Sequence, residues 1–304
     1  MNEPQVGRQV LLLTGGLLGG FGLVVLAASV AARMRHRSAR PMVTKYLAWL
    51  IMLPPIVVPL VYSRTLFQVV VLGLSLQCIR EFARATGLWR DRGVVWLCYL
   101  LTGGIYTALF AEWYGLHQAG PMIAVGLLLL VPIVRGRYEH MLQKICLSML
   151  AVLYFGWFLS HLAYLRSIRR GMAYAFYLMA LVECNDALGY LWGKWLGRHK
   201  LSPRISPNKT VEGAVFAAMS VVLLGWVLGR AILAEPVGRL VVLGALTAAL
   251  GLCGDLVVSF IKRDLRLKDM GAAIPGHGGF LDRLDSLVLA APVFFYWIRY
   301  FHEA

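Results

Sequence analysis

Residues 240–261 read LVVLGALTAALGLCGDLVVSFI, an apolar run with a single charge at Asp255. Roughly 20 apolar residues in a helix span the hydrocarbon core of a bilayer, which is about 30 Å thick. The run therefore predicts a helix that crosses a membrane. A bare carboxylate inside a bilayer costs about 2.5–3.5 kcal/mol, so Asp255 predicts a partner cation, a bound ion or a watery cavity.

Similar apolar stretches recur along the whole chain. Of the 304 residues, 59% are hydrophobic and 15% are charged, and the mean hydropathy is +0.69. A soluble domain carries roughly a quarter charged residues, so a soluble fold, a coiled coil, a disordered chain and a secreted disulfide scaffold are excluded. We predict an all-α, polytopic integral membrane protein with roughly nine to ten transmembrane helices. The ten candidate stretches are 10–32, 46–62, 65–79, 93–110, 120–134, 145–165, 172–192, 213–233, 240–261 and 284–301.

The second and third stretches are short and contain Pro54, Pro55 and Pro59. Because proline interrupts helical hydrogen bonding, one kinked hairpin is an alternative to two clean spans there. In the first stretch, Gly15/Gly19 and Gly16/Gly20 have the spacing of a close helix contact. That contact lies either within the bundle, which we favour, or between the subunits of a homodimer.

The distribution of charge orients the bundle. Thirty Lys and Arg against fifteen Asp and Glu give a net charge of +15. Every second connection is rich in Lys and Arg, so we expect those connections to face the cytoplasm. We also expect the membrane to be the inner (cell) membrane of a bacterium. Arg166, Arg169 and Arg170 are an exception, because this count places them outside. The positive charge favours membrane lipid and an anionic substrate as partners rather than nucleic acid.

Acidic residues are concentrated toward the C-terminus. Six of the seven aspartates lie between Asp186 and Asp285, with Glu183 and Glu212 nearby. Asp282 and Asp285 are three residues apart and so share one face of a helix. We therefore divide the chain into an N-terminal multi-span region, residues 1–170, and a C-terminal catalytic membrane region, residues 171–304. The active site is expected at the cytoplasmic ends of the C-terminal helices.

Two connections carry residues suited to phosphate chemistry. Residues 206–213 read SPNKTVEG, and residues 259–285 read SFIKRDLRLKDMGAAIPGHGGFLDRLD. Carboxylates that hold a divalent ion, cations that neutralise phosphates and a glycine-rich loop are the parts of a site for a nucleotide with a metal. Neither a nucleophile motif nor a Walker A motif occurs, and phosphoryl-type transfer needs no protein nucleophile.

These residues closely resemble the phosphatidate cytidylyltransferases, also called CDP-diacylglycerol synthases. The C-terminal pattern of that family is filled without a gap by Ser259, Lys262-Arg263, Lys268-Asp269, Gly271, Ile274-Pro275, His277-Gly278-Gly279, Asp282-Arg283 and Asp285. The upstream pattern is filled by Asp186, Gly189-Tyr190, Gly193-Lys194, Gly197, His199-Lys200 and residues 206–213. Gly189 replaces the alanine that is common in the family, and the first half of the chain matches only as a multi-span region.

The resemblance implies that CTP and phosphatidate react to give CDP-diacylglycerol and pyrophosphate, with Mg²⁺ and a second cation such as K⁺. It implies Asp255 and Asp282 as the principal metal ligands, with Asp285 and Asp186 as further ones. Lys262 and Arg263 are expected to join Asp255 and Asp282 in catalysis. The residues expected to bind substrate are Ser206, Lys209, Lys268, His277, Gly278, Gly279 and Arg283. Thr210 is expected to cap the helix that follows rather than to bind phosphate.

Three other functions compete with this one. An ion- or proton-coupled transporter would explain acids inside membrane spans, but it predicts acids spread through the bundle and an internal repeat. A catalytically idle, lipid-binding relative would not need every charge of the C-terminal motif. A cytidylyltransferase or CTP-dependent kinase that acts on a polyprenyl lipid is the nearest enzymatic alternative.

Overall fold

The computed structural model describes residues 3–34, 43, 46–47, 50–233, 235–274 and 278–303. In a bilayer only helices and closed barrels satisfy every backbone polar group, and these apolar stretches form helices. In chain order the helices are α1 (Glu3–Met34), α2 (Pro54–Tyr62), α3 (Arg64–Ala85), α4 (Arg92–Phe110), α5 (Tyr114–Arg135), α6 (Met141–Leu150), α7 (Leu159–Leu165), α8 (Gly171–Leu196), α9 (Val211–Ile232), α10 (Val237–Asp264) and α11 (Leu281–Glu303). A 3-10 turn, Leu88–Arg90, precedes α4, and a π-helical segment, Ala151–Phe158, joins α6 to α7.

Seven of the described helices are long and apolar enough to cross a membrane. They are Arg64–Ala85, Arg92–Phe110, Tyr114–Arg135, Met141–Leu165, Val211–Ile232, Val237–Asp264 and Leu281–Phe301. The other three predicted spans correspond to α1, to the short α2 and to α8, whose middle carries polar residues. The predicted all-α, polytopic membrane architecture is confirmed, and the number of helices agrees roughly with the prediction.

The proline-rich second stretch is a helix separate from the third. α2 ends and α3 begins at Ser63, whose backbone is extended (φ −151°, ψ 121°). The Ser63 hydroxyl accepts a hydrogen bond from the Leu66 N–H at 3.2 Å, which satisfies one of the free N–H groups at the start of α3. The break therefore falls at a serine cap and not at a proline kink.

The core lies around two helices. In both the segment Met141–Leu165 and helix Leu281–Phe301, 61% of the apolar window is buried, against 22% for Tyr114–Arg135 and for Val211–Ile232. The first two are therefore central, and the last two are peripheral. Every residue of α7 is buried, including Ser160 and His161. The segment α6–α7 packs against α3 and α11, which brings the N-terminal region next to the last helix.

Two of the three arginines that broke the charge pattern have structural partners. The Nε group of Arg166, which is buried, donates to the Leu60 carbonyl near the end of α2 at 3.0 Å, and its Nη1 group lies 3.3 Å from Glu3. Arg170 donates to the Leu233 carbonyl at the end of α9 at 2.8 Å. Carbonyls at a helix end have no partner within the helix, so these two cations satisfy them.

The glycine pairs of α1 do not make the predicted contact within the described part of the bundle. No described heavy atom lies within 4 Å of a Cβ placed on Gly15, Gly16, Gly19 or Gly20. The favoured packing inside one bundle is therefore not seen among these residues.

The connection from residue 193 to residue 213 is more ordered than a loop. Strands β1 (Lys200–Ser202) and β2 (Ser206–Thr210) form an antiparallel hairpin, with Lys200 opposite Thr210 and Ser202 opposite Ser206. Glu212 closes the base of the hairpin by accepting from the backbone N–H groups of Arg198 and His199 at 3.0 and 3.1 Å. Strand β2 of the hairpin packs against α8, α9 and α10.

Candidate functional site

The site is built first from two aspartates on neighbouring helices. The side chains of Asp255 of α10 and Asp285 of α11 lie next to each other, close enough for the two carboxyl groups to interact directly. The contact depends on Gly254, because a Cβ there would lie 2.5 Å from the Asp285 carbonyl oxygen. Since glycine has no Cβ, the two helix backbones approach closely and the two carboxyl groups meet. Asp285 is buried, whereas Asp255 is half-buried.

Asp186 joins this pair from α8. Its Oδ2 atom accepts a hydrogen bond from the Ser286 hydroxyl at 2.8 Å, and it lies within electrostatic range of Asp255 and Lys209. Asn185, the preceding residue, donates to the Ala248 carbonyl on α10 at 3.3 Å, which fixes α8 against α10. Three of the four predicted metal ligands, Asp186, Asp255 and Asp285, are thus brought together.

Lys209 supplies positive charge to this cluster. It extends from β2 and forms an ion pair with Asp255. Thr210 accepts a hydrogen bond from the Gly213 N–H at 3.1 Å, which confirms that it caps α9. The cap sets where the hairpin ends and the helix begins, and so it positions Lys209. Ser206 lies at the other end of β2, opposite Ser202 and half-buried.

Asp282 has a different environment from the other three aspartates. Its Oδ1 atom is paired with Lys262 at 3.0 Å, and its Oδ2 atom accepts from the N–H groups of Met270 and Gly279, each at 2.9 Å. Gly278 adopts a left-handed conformation (φ 80°), and its carbonyl accepts from the Ile274 N–H at 2.9 Å. Asp282 therefore holds both ends of the loop that connects α10 to α11. Both Lys262 and Asp282 are buried.

The remaining predicted substrate-binding residues line the outside of this loop. Arg263, Lys268 and Arg283 are exposed. Arg263 donates to the Ile205 carbonyl at the turn of the hairpin at 3.1 Å, and so connects α10 to the hairpin. His277 lies outside the described residues, whereas Gly278 and Gly279 of the same motif are described.

Glu81 of α3 is a site residue that sequence reasoning missed. It is buried and accepts hydrogen bonds from the backbone N–H groups of Phe280 and Leu281, at 3.1 and 3.0 Å. These N–H groups belong to the free N-terminus of α11, so Glu81 caps a helix about 200 positions away in the chain. The only signal in the sequence is a charge near the end of an apolar stretch. That signal is equally typical of a charged residue that simply lies where the membrane meets water.

Tyr154 is a second residue that the sequence did not indicate. Its hydroxyl is buried and has no hydrogen-bond partner among the described residues, and it lies within electrostatic range of Asp285. It projects from the π-helical segment, a local widening that is frequent at functional sites. A buried hydroxyl without a partner requires an explanation, because such a group costs free energy.

The chemistry available here is that of acids and cations. Asp186, Asp255 and Asp285 lie together, and the cations within electrostatic range of them include Lys209, Lys262 and Arg283. Among the residues that the structure describes, no set of three or more His, Cys, Asp or Glu side chains is already arranged to hold a metal ion. Two carboxyl groups in direct contact nevertheless need a shared proton or a cation between them. The arrangement therefore has the donor chemistry for a divalent ion.

Comparison with known proteins assigns the chain to a protein family. The model of the cytidylyltransferase family matches residues 43–301. The chain is 43% identical over 166 residues to the uncharacterized protein YnbB of Escherichia coli K12, covering 51% of this chain and 55% of that protein. It is 43% identical over 130 residues to a phosphatidate cytidylyltransferase of Synechocystis, covering 42% and 44%. It is 32% identical over 194 residues to a phosphatidate cytidylyltransferase of Bacillus subtilis, covering 63% and 72%.

The first two of these relatives are matched over about half of their length. The family match, by contrast, covers all the described helices from α2 to α11 apart from the last residues of α11. It therefore includes every aspartate and lysine of the site. The resemblance inferred from the C-terminal motif is confirmed: the chain belongs to the cytidylyltransferase family, as an integral membrane member.

Proposed function

We propose that the protein is a phosphatidate cytidylyltransferase, which transfers the cytidylyl group of CTP to phosphatidate and releases pyrophosphate. The observation that carries the proposal is the contact between Asp255 and Asp285, with Lys209 and Lys262 beside it, at the ends of membrane helices. At that position a lipid headgroup and a water-soluble nucleotide can reach the same charged groups. The names of the Synechocystis and Bacillus subtilis relatives support the same activity.

The reaction requires alignment and charge rather than a nucleophile from the protein. A phosphate oxygen of the lipid attacks the α-phosphorus of CTP, and the bond from that phosphorus to the oxygen bridging to the β-phosphate breaks. The lipid phosphomonoester has a second pKa near 6, so it is largely dianionic at neutral pH and needs no strong base. The protein must hold the two phosphates in line and neutralise the departing pyrophosphate.

We assign these tasks to the cations around the aspartates. Lys209 and Lys262 lie inside the site and contact Asp255 and Asp282. They would neutralise phosphate oxygens close to the reacting centre. Arg263, Lys268 and Arg283 lie on the outer rim, where they would attract the triphosphate of CTP. Ser206, His277, Gly278 and Gly279 would contribute hydrogen bonds from the hairpin and the loop.

We further propose that Mg²⁺ binds at Asp255 and Asp285, with Asp186 beside them. When bound, the ion would supply positive charge to the oxygens of the phosphates. Asp282, predicted as a principal ligand, already accepts three hydrogen bonds, and we assign it chiefly to ordering the loop. A second cation such as K⁺ would balance the remaining carboxylate charge.

We place this site at the cytoplasmic face of a bacterial inner membrane. The connections on the side of the site carry most of the Lys and Arg, and positive connections face the cytoplasm. CTP is made in the cytoplasm, so this side also gives access to the nucleotide. A homodimer through the open glycine face of α1 stays a prediction.

The test is transfer of label from CTP to lipid in detergent, with and without Mg²⁺. With phosphatidate and CTP labelled at the α-phosphate, we expect lipid-soluble label from the wild type only when Mg²⁺ is present. Asp255→Asn and Asp285→Asn should lose transfer. The matched control is Asp264→Asn, which removes an exposed carboxylate at the end of the same helix α10.

Three results would contradict the proposal. Lipid-soluble label from γ-labelled CTP would indicate a kinase, and transfer only to a polyprenyl phosphate would indicate another lipid substrate. Full activity in both aspartate variants would remove Asp255 and Asp285 from the reaction. Binding of Mn²⁺ measured by electron paramagnetic resonance separates loss of metal binding from loss of catalysis, with Asp282→Asn expected to keep more binding than Asp255→Asn.

A further inference from the structure

Three arginine side chains converge on one indole ring between α3 and α4. The guanidinium groups of Arg92, Arg84 and Arg80 lie 4.3, 5.0 and 6.0 Å from the centre of the Trp89 ring. Trp89 is half-buried in the 3-10 turn, and the three arginines are exposed. An indole ring attracts cations through its faces, but three cations around one ring also repel each other.

The described residues provide no negative charge to balance these arginines. None of the described acidic side chains forms an ion pair with Arg80, Arg84 or Arg92. Two acids are direct sequence neighbours of the cluster, and both are engaged elsewhere. Asp91 is paired with Arg135 at 2.9 Å and with Lys144 at 3.0 Å, and Glu81 accepts from the backbone N–H groups at the start of α11. The cluster of three arginines around Trp89 is therefore exposed and is not neutralised by an ion pair with a described acid, which leaves it open to an anion from outside the protein.

The cluster lies where two membrane spans end. The candidate span Arg64–Ala85 ends just before Trp89, and the candidate span Arg92–Phe110 begins just after it. Trp96 and Tyr99 of α4 follow, with ring centres 5.7 Å apart, and Trp96 is exposed. Tryptophan and tyrosine are enriched where the bilayer meets water, which is also the depth of phospholipid headgroups. A guanidinium group binds phosphate oxygens through two parallel hydrogen bonds.

We propose that Arg80, Arg84 and Arg92, arranged around Trp89, bind the phosphate of an anionic phospholipid. The cluster lies on the same membrane face as the aspartates, because Glu81, next to Arg80, caps α11. The phosphates of a nucleotide share this chemistry, but the boundary between spans and water favours a lipid. The inference does not rest on the proposed function, and it holds whether or not the protein transfers a cytidylyl group.

The experiment is native mass spectrometry of the full chain in a neutral detergent, with phosphatidylglycerol or phosphatidylcholine of identical acyl chains added. We expect the wild type to bind phosphatidylglycerol in preference. The double variant Arg84→Gln/Arg92→Gln should lose that preference by about fivefold for each arginine removed. The matched control is Arg90→Gln/Arg137→Gln. It removes the same charge from two exposed residues on the same membrane face that do not lie over Trp89. This control variant should keep the preference for phosphatidylglycerol.

The outcomes are distinct. Equal loss in the two double variants would show a diffuse surface potential and overturn the site, as would unchanged binding in the cluster variant. Displacement of phosphatidylglycerol by CTP from the wild type and from the control variant, both of which keep the three arginines, would assign the arginines to the nucleotide and overturn the lipid. The double variant Arg84→Lys/Arg92→Lys keeps the charge but removes the guanidinium groups. An intermediate loss of the preference for phosphatidylglycerol in this variant supports recognition by guanidinium groups, even if the glutamine variant fails to fold.

Discussion

At the scale of single residues, aspartates of one motif have different surroundings. Asp282 and Asp285 lie one turn apart on α11, yet Asp282 orders a loop and Asp285 meets another acid. Periodicity places both on one face and cannot separate their roles. The separation comes from the loop, which folds back so that Met270 and Gly279 donate to Asp282. The role of Glu81 is likewise invisible to sequence periodicity, because its partners are backbone N–H groups that no sequence motif reveals.

We expect Glu81→Ala to destabilise the protein and to abolish most cytidylyl transfer. It removes the acceptor of the buried Leu281 N–H group, a cost of about 1–3 kcal/mol, and that of the half-buried Phe280 N–H group, which costs less. Glu81→Gln keeps one acceptor oxygen and should be intermediate. The measurements are thermal unfolding in detergent and label transfer from CTP.

The matched control for Glu81 is Glu139→Gln, an exposed acid in the turn before α6. It should change neither the unfolding temperature nor the transfer. If Glu81→Ala unfolds and reacts like the wild type, Glu81 does not hold the N-terminus of α11.

At the scale of secondary-structure elements, two local features bring the site together. Gly254 lets α10 approach α11, and the π-helical segment places the Tyr154 hydroxyl near Asp285. Gly254 lacks the side chain that would normally cover a helix surface, and the π-helical segment departs from regular α-helical geometry. A helix of bulky residues would keep the backbones apart, and a regular helix would rotate Tyr154 away from its present direction.

We expect Gly254→Ala to lower both stability and cytidylyl transfer. The new Cβ would lie 2.5 Å from the Asp285 carbonyl oxygen and 3.1 Å from that of Ser286, so α10 and α11 must separate. Overpacking of this kind costs about 1–3 kcal/mol. Thermal unfolding and label transfer measure the two effects.

Gly189→Ala is the control for the glycine variant. A Cβ at Gly189 would meet only the Ala217 Cβ, at 3.9 Å, which is an ordinary van der Waals contact. This variant restores the residue expected from the family pattern, and we expect it to keep normal stability and transfer. Normal transfer in Gly254→Ala would contradict the need for close approach.

For Tyr154→Phe we expect reduced cytidylyl transfer with an unchanged or higher unfolding temperature. The substitution removes a buried hydroxyl that has no partner in the described protein, so the fold loses no hydrogen bond. The comparison is Tyr106→Phe, which removes a hydroxyl bonded to Ser75 at 2.8 Å. That variant should show the opposite pattern: lower stability and normal transfer. Full transfer in Tyr154→Phe would show that the hydroxyl serves no reaction.

At the scale of the whole molecule, the site draws on both parts of the chain. Glu81 and Tyr154 come from the predicted N-terminal region, and the aspartates come from the predicted catalytic region. The division near residue 170 stays a prediction, but these contacts cross it. The central position of Met141–Leu165 and α11 explains why: they pack against each other in the middle of the bundle.

Asp91 gives a test of how the N-terminal spans are held together. It caps α4 and is bonded to Arg135, which ends α5, and to Lys144 of α6. Burial raises the pKa of Asp91, but the hydrogen bonds from Arg135, Lys144 and the Val94 N–H outweigh burial and hold the pKa below its ordinary value. Its contribution to stability is therefore present above the unfolded-state pKa of about 3.9 and is lost as the pH falls through the folded-state value.

We expect Asp91→Asn to lower the unfolding temperature at neutral pH and to have a smaller effect at a pH below the unfolded-state value of about 3.9, where the contribution of the carboxylate is being lost. Thermal unfolding at both pH values measures the difference. Asp264→Asn, at an exposed position, should show no such dependence. An equal decrease at both pH values would show that the ion pairs of Asp91 do not stabilise the bundle.

The sequence by itself determined the membrane class, the approximate number of spans, the family and the acidic and basic residues of the motif. These follow from composition, from the length of apolar runs and from local spacing, all of which can be read directly from the order of the residues. Only the tertiary structure decided that Asp255 meets Asp285, that Asp282 serves the loop and that Glu81 caps α11. Those choices depend on the close approach of helices and on backbone groups far apart in sequence, and neither leaves a periodic pattern in the side chains.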